Sequence, residues 1–350
     1  MSIRPIAAAA VSAVLLLGPA AADDAAALGG APAAGAARPA AKRAPIRVGV
    51  LLKALDNPFF VAMYQGARAE AARRNVRLTV RSVGTSLDPA GQAAQARALV
   101  AGGDDCYVVN PIAPTNLVPA LRGVRRPVVN VDSPVDRRAA RRAGIRVRTF
   151  IGTDDFVAGK SAGARMAAFL RGRGEVALVD GTAGSVNSRR RLAGFEAGVR
   201  GTAVRVVARV LADYDRTKAE VAADRILGAH PSISGFFAAN DLMALGVADA
   251  VRAAGRTAQV RIIGVDGIPD ALDAVRTRSI AATVSQYPYV MGRMAVEACA
   301  AAARGIRLPA RVFAPIAVLS SDNVARAIVA FPAPLLPYAD PFSRLLRGRK

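Results

Sequence analysis

Residues 46–83 read IRVGVLLKALDNPFFVAMYQGARAEAARRNVRLTVRSV, and this stretch decides the fold class. An apolar run, IRVGVLL, leads into a helical stretch, FVAMYQGARAEAARRN at 60–75, and then a second β-rich run, VRLTVRSV. Strand, helix and strand in that order make a βαβ unit, with parallel strands and the helix packed across them. The alternation continues along the chain. Strands are expected at CYVVN, PVVNVD and RTFIGT, and again at EVALVD, VRVVARVL, SGFFAAN and RIIGVD. Helical segments such as TKAEVAADRILGAH at 217–230 lie between them. CYVV and RIIGV are nearly continuous apolar runs, as strands covered on both faces are.

About nine such strands exceed the commonest single sheet of this kind. RTFIGTDD follows the Arg-rich stretch 137–148 and reads as a second start. A lobe boundary is therefore expected near Phe150, giving two similar doubly wound α/β halves. Neither half carries G-x-G-x-x-G after a strand, nor a Walker A loop, and Gly181, Gly184 and Gly194 are too widely spaced to form either.

The 350 residues suit two domains, and 53% hydrophobic residues suffice for their cores. Aromatics are 5% and Trp is absent. The abundance of Ala and Arg reads as coding bias. A net charge of +22 could attract nucleic acid, anionic lipid or acidic substrates. Its clusters, Arg73–Arg74, Arg125–Arg126, Arg137–Arg142 and Arg189–Arg191, lie far apart along the chain. None alternates with aromatics as a single-strand binding groove does, so nucleic acid is not an expected partner.

Cys106 and Cys299 fit no metal motif and no CxxC pair. Each sits in an apolar run and reads as a small buried residue, although an oxidising compartment would permit a disulfide between them. The single histidine, His230, falls between a helix and a strand and reads as a helix-end residue rather than a general base. No nucleophile–base pair and no metal-ligand cluster stands out, so neither catalysis nor a metal or cofactor is expected.

The amino terminus opens with MSIR, then IAAAAVSAVLLLG, then Ala20-Ala21-Ala22 before Asp23. A positive start, a short apolar core and small residues at the cleavage position make 1–22 a signal peptide. No Cys follows for lipid attachment. Residues 23–45, rich in Ala, Gly and Pro, read as a disordered leader. A soluble, exported chain is the expectation.

Ligands of open α/β sheets bind beyond the carboxyl ends of the strands. Those ends carry Asp56-Asn57-Pro58-Phe59-Phe60, Asn110-Pro111 and Asp132-Ser133 in the first half. The second half offers Ser188-Arg189, Asn240-Asp241, Val265-Asp266 and Gln286. Asp accepts, Arg donates, and Asn and Gln do both, a mixture that can satisfy a ring of buried hydroxyls. Phe59, Phe60 and Tyr214 offer faces for the C–H surfaces of such a ligand. Taken singly, Asn and Asp at strand ends are often only turn formers or helix caps. Adjacent Phe59 and Phe60 point about 100° apart on a helix, which assigns one of them to the core. Recurrence at most strand ends of both halves favours a site.

ALDNPFFVAMYQGA, VVNP, VVNVDSPV, IGTDDFVAGKSAG, SRRRLAGF, FAANDLMALG, IIGVDGIPDA and AATVSQYPYVMG occur in this order. Together they resemble the landmarks of periplasmic ribose-type sugar-binding proteins, the type I periplasmic binding proteins of ABC importers. The resemblance spans about 46–320. It implies a first lobe of 46–150 plus 287–314, a second of 151–286 plus 315–330, three hinge strands, and a tail at 331–350. It implies a monosaccharide or polyol ligand and an ABC transporter permease as partner. A chemoreceptor or sensor kinase is an alternative partner, and the chain would act as a monomer. A repressor core shares these landmarks but would carry an amino-terminal helix-turn-helix, where this chain has a signal-like segment. Carried over by position, the ligand contacts fall on Asn57, Phe59, Phe60, Asn110, Asp132, Arg189, Tyr214, Asn240, Asp266 and Gln286. Ser133 stands where the ribose binders have Arg, and Val265 where they have Phe. A pentose other than ribose, a hexose or a polyol is therefore the expected ligand.

Overall fold

The computed structural model describes residues 44–347. The signal segment and almost all of the 23–45 leader lie outside them. The first lobe opens with β1 (Ile46–Ala54), α1 (Pro58–Arg74), β2 (Val76–Val83), α2 (Pro89–Ala101) and β3 (Cys106–Val109). It continues through α3 (Val118–Leu121), β4 (Val128–Val131), α4 (Arg137–Arg142) and β5 (Val147–Gly152). The second lobe runs through α5 (Asp155–Phe169), β6 (Arg173–Asp180), α6 (Val186–Val199), β7 (Ala203–Leu211) and α7 (Arg216–Ala229). β8 (Ile233–Ala238), α8 (Asp241–Ala253), β9 (Arg261–Asp266), α9 (Pro269–Arg276) and β10 (Ala282–Ser285) follow. The chain closes with α10 (Pro288–Ala303), β11 (Arg311–Phe313), β12 (Ala317–Ser320), α11 (Val324–Ala330) and α12 (Pro341–Arg347).

Each lobe is built on a six-stranded sheet, with orders β2-β1-β3-β4-β5-β11 and β7-β6-β8-β9-β10-β12. All pairings are parallel except β10 with β12. The order reverses between β1 and β3 and between β6 and β8, the switch points at which such sheets bind ligands. All nine expected strands form. β10, β11 and β12, only three or four residues long, were not read as strands. The segment RTFIGT, expected to start the second half, is instead the fifth strand of the first sheet: Val129, Asn130 and Val131 pair with Thr149, Phe150 and Ile151. Its apolar residues need β4 beside them, so the chain leaves the first lobe only after Gly152.

The backbone crosses between the lobes after β5, after β10 and between β11 and β12. It then crosses a fourth time. α11 packs on α9 of the second lobe, and α12 packs on α10 of the first, with Phe342 fully buried. Between them the Leu335 amide donates to the Tyr287 hydroxyl at 3.1 Å, in the second crossing.

The Ala- and Gly-rich composition has a packing consequence. A Cβ on Gly66 of α1 would lie 1.9 Å from the Tyr289 carbonyl oxygen of α10, and one on Gly292 equally close to the Met63 oxygen. Helices this close can pack only through residues lacking a side chain there. α5 and α6 meet the same way, Gly159 lying under the Arg191 backbone.

Cys106 of β3 and Cys299 of α10 are bonded in a disulfide, with Cα atoms 5.6 Å apart. The expectation of two separate buried thiols is thus corrected: both are fully buried, as expected, but α10 returns across the first sheet and brings them together.

Candidate functional site

The carboxyl ends of both sheets face one cleft of about 280 Å³. Lys53, Asp56, Asn57, Phe59, Phe60 and Asp132 line it from the first lobe. Asn187, Arg191, Tyr214, Asn240, Leu242 and Asp266 line it from the second. The lobes touch across it, Asn187 Nδ2 donating to the Asp132 carbonyl oxygen at 3.2 Å.

Local structure places each group. Asn57 caps α1, accepting from the Phe59 amide at 2.9 Å, and Asn240 caps α8, accepting from the Met243 amide at 3.0 Å. Capping and lining the cleft are therefore the same job for these two side chains. Phe59 and Phe60 both reach the cleft, their rings edge to face at 5.3 Å. Both also belong to the buried core, where one was expected: the helix starts at the rim, and each ring serves core and cleft together. Asp132, Tyr214 and Asp266 have φ of 56°, 61° and 138°. Such backbone costs about 1–3 kcal/mol per residue and is retained where a site requires it.

Three expected residues sit one layer back. Gln286 is fully buried; it donates to Asp266 Oδ1 at 2.6 Å and accepts from Arg191 Nη2 at 3.0 Å. Ser133 donates to Asp132 Oδ2 at 3.2 Å and accepts from Lys53 Nζ at 2.6 Å. Asn110 accepts from the Ser133 amide at 3.4 Å, while its buried Nδ2 has no partner.

Arg189 is corrected. It is exposed and lines an outer groove with Asp180, Glu196 and Arg209. Two positions along a helix turn about 200°, so Arg191, not Arg189, faces inward. Arg191 is nearly fully buried and donates to Asp155 Oδ1 at 2.7 Å and to the Ala239 carbonyl oxygen at 2.7 Å. Its Nη1 lies 3.8 Å from Asp266 Oδ1. Within RRR the phase could have been read from Gly194, which must face α5. Lys53 was also missed; its Nζ lies 3.4 Å from Asp132 Oδ2 and 5.4 Å from the Phe60 ring. A lone cation closing an apolar strand was the available signal.

The electrostatics follow from burial. Desolvation pushes Asp155 up to about 6 despite Arg191 beside it. Asp241 also rises to about 6 through burial, opposed by hydrogen bonds from Thr283 and the amides of Ile268 and Gly267. Burial lifts Asp266 well above the usual carboxylate range; Arg191 opposes this, and Asp241 and Asp132 add to it. Burial works against the Arg191 charge, but Asp155 and Asp266 outweigh it. Burial carries Tyr214 to about 12, so its hydroxyl stays neutral, paired with Ser185 Oγ at 2.7 Å. Hydrogen-bond donation from a hydroxyl-bearing molecule to the buried Asp266 carboxyl would favour its charged form and oppose the shift that burial causes there. His230 is the C-cap of α7, remote from the cleft lining. Among the described residues no group of His, Cys, Asp and Glu could hold a metal ion.

Residues 48–307 match the family described as periplasmic binding protein domain. The ribose import binding protein of Bacillus subtilis is 32% identical over 272 residues, covering 77% of this chain and 85% of that protein. The D-allose-binding periplasmic protein of Escherichia coli is 34% identical over 252 residues, 69% of this chain and 80% of its own. Among solved structures, an ABC transporter periplasmic solute-binding protein from Actinobacillus succinogenes with bound D-allose superposes with a TM-score of 0.77 at 26% identity. It covers 80% of this chain and 99% of its own.

Proposed function

The chain belongs to the periplasmic binding protein family, whose members bind rather than transform their ligands, and from that premise we propose that it captures a monosaccharide or polyol between its lobes and delivers it to an ABC importer. One observation carries this reading: amide, carboxylate and guanidinium groups from both sheets converge on a single cleft with two phenyl rings at its wall. Its volume is near the small end of the roughly 300–1,000 Å³ usual for small-molecule sites. Neither lobe alone surrounds a ligand, so binding favours the closed clamp by the contacts that only closure makes.

We assign ligand contact to Lys53, Asn57, Phe59, Phe60, Asp132, Arg191, Tyr214, Asn240 and Asp266, with Asn110, Ser133 and Gln286 as their support. Lys53 supplies the cation that Ser133 lacks, but as a point charge rather than a planar fork. This supports a ligand other than ribose, such as a hexose or polyol. Residues 1–22 are read as a cleaved signal peptide and the mature chain as a periplasmic monomer. The buried disulfide supports export, because such bonds persist in oxidising compartments.

Calorimetric titration with pentoses, hexoses and polyols tests the reading, with D-allose and D-ribose included. A tight ligand, compaction on binding in small-angle scattering, and ribose ranked below another sugar are expected. No binding across the panel would refute the function. Ribose ranked first would refute the role given to Lys53 and Ser133.

A further inference from the structure

Arginine clusters that are distant in sequence meet in the fold. In parallel sheets every helix returns to the amino-terminal ends of the strands, opposite the cleft. In the first lobe the turn into β4 carries Arg122, Arg125 and Arg126, and the end of α4 with the turn into β5 carries Arg141, Arg142 and Arg146. Arg148 lies on β5 itself, and Arg304 and Arg307 precede Arg311 at the start of β11. All are exposed. β4, β5 and β11 are neighbours, so these entries stand about 5 Å apart across the sheet. Val128 donates its amide to the Arg146 carbonyl oxygen at 3.3 Å, and Phe150 to that of Ala310 at 3.2 Å. Arg344 of α12 lines one groove with Arg311.

Among the described residues none of these arginines has a carboxylate partner within 4 Å. In the second lobe Arg165 pairs with Asp322, Arg205 with Glu175, Arg209 with Glu196 and Arg216 with Asp249, all at 2.6–2.7 Å, while Arg171, Arg173, Arg200, Arg225, Arg261 and Arg278 are exposed without such a partner among the described residues. Favourable interaction with a helix carboxyl end accounts for Arg141 and Arg142. It does not account for the strand-entry arginines.

We propose that this edge of the first lobe docks on the phosphate headgroups of an anionic phospholipid bilayer, an inference that rests on the export reading for its setting. Guanidinium forks match phosphate oxygens two at a time. The edge carries one exposed ring, Phe313, which Arg311 covers at 5.6 Å, rather than a run of aromatics for stacking bases, and its helices α3 and α4 are too short to enter a groove. The anchors on which a protein partner would centre are few: among the described residues the edge offers Phe313 and a groove of Pro309, Val312, Pro341 and Leu345. A plane of phosphates needs none of these. The cleft lies at the opposite ends of the strands, so docking leaves it open to ligand.

The test uses the purified mature chain and co-sedimentation with vesicles of equal parts phosphatidylglycerol and phosphatidylcholine. Each arginine near an anionic surface strengthens binding about fivefold. Arg126→Glu/Arg146→Glu/Arg148→Glu should weaken vesicle binding at least about a hundredfold. Arg200→Glu/Arg225→Glu/Arg261→Glu, with the same net charge but on the second lobe, should stay within about threefold. Wild-type binding should disappear in pure phosphatidylcholine and at about 0.5 M salt. Equal losses in the two variants would overturn the proposal, since overall charge would then explain binding. So would no wild-type binding at about 0.1 M salt, or preference for a soluble acidic polysaccharide over vesicles. Circular dichroism and sugar affinity are measured on both variants. Vesicle binding without sugar binding by the wild type would count against the transport function alone.

Discussion

Replacing Arg191 by Met keeps much of the side-chain volume and removes the charge. Arg191 is 4% exposed, donates to Asp155, Ala239 and Gln286, and stands 3.8 Å from Asp266. Breaking a buried pair from one side costs about 3–5 kcal/mol, because the remaining carboxylates lose their countercharge. At about 2–4 °C per kcal/mol for large domains, melting should fall by roughly 6–20 °C at pH 7. Losing one charged partner of the ligand should weaken sugar binding about tenfold to more than a hundredfold. The deficit should depend on pH. Asp155 has a folded pKa of about 6, above its ordinary value near 4, and removing Arg191 raises it further. Its linkage therefore favours the fold fully below about pH 4 and is lost as pH rises through the folded value. The variant should thus fall furthest behind the wild type above pH 7 and recover toward pH 5. Arg189→Ala, two positions away and exposed, should change stability by less than about 0.5 kcal/mol. Thermal unfolding from pH 5 to 8 and calorimetry on the two variants decide the matter. Equal losses at positions 189 and 191, or a deficit independent of pH, would refute the assignment.

Ligand affinity should fall as pH drops from 7 to 5, by at most about tenfold per unit for one proton, because protonated Asp266 accepts fewer hydroxyl donors; calorimetry in buffers of different ionisation enthalpy should show proton release on binding. The Cys106→Ala/Cys299→Ala variant should lose about 2–5 kcal/mol, since the bond spans 193 residues of sequence; an unchanged denaturant midpoint would contradict this. Gly66→Ala should destabilise by roughly 1–3 kcal/mol with little change in m-value, because its Cβ would meet the Tyr289 oxygen. Lys53→Met should weaken sugar binding about tenfold or more, and unaltered affinity would remove Lys53 from the site.

Much of this architecture is legible because strands such as CYVV and RIIGV are apolar without interruption, and only a doubly covered sheet makes such runs favourable. The short strands β10, β11 and β12 escape that logic: three or four residues show no period, and their pairing is set by the crossings. The site was readable as a list of strand ends. It was not readable as a set of directions. Arg189 and Arg191 are chemically identical, and only the contact of α6 with α5 decides which one turns inward. Lys53 and Asp155 act on Asp132, Ser133 and Arg191 from elsewhere in the sequence, so no local pattern announces them. The disulfide joins residues whose proximity exists only once α10 has crossed back.

Because α12 returns to α10, the described residues begin and end on one lobe, and the other lobe is formed by segments set between them. This matters for anyone building an optical sensor from the molecule. A fluorophore fused after α12 would ride with the same rigid body as one fused before β1, and their separation would scarcely register closure. One reporter has to enter the second lobe internally, at an exposed turn such as Arg200-Gly201-Thr202, for the clamp's motion to become a signal.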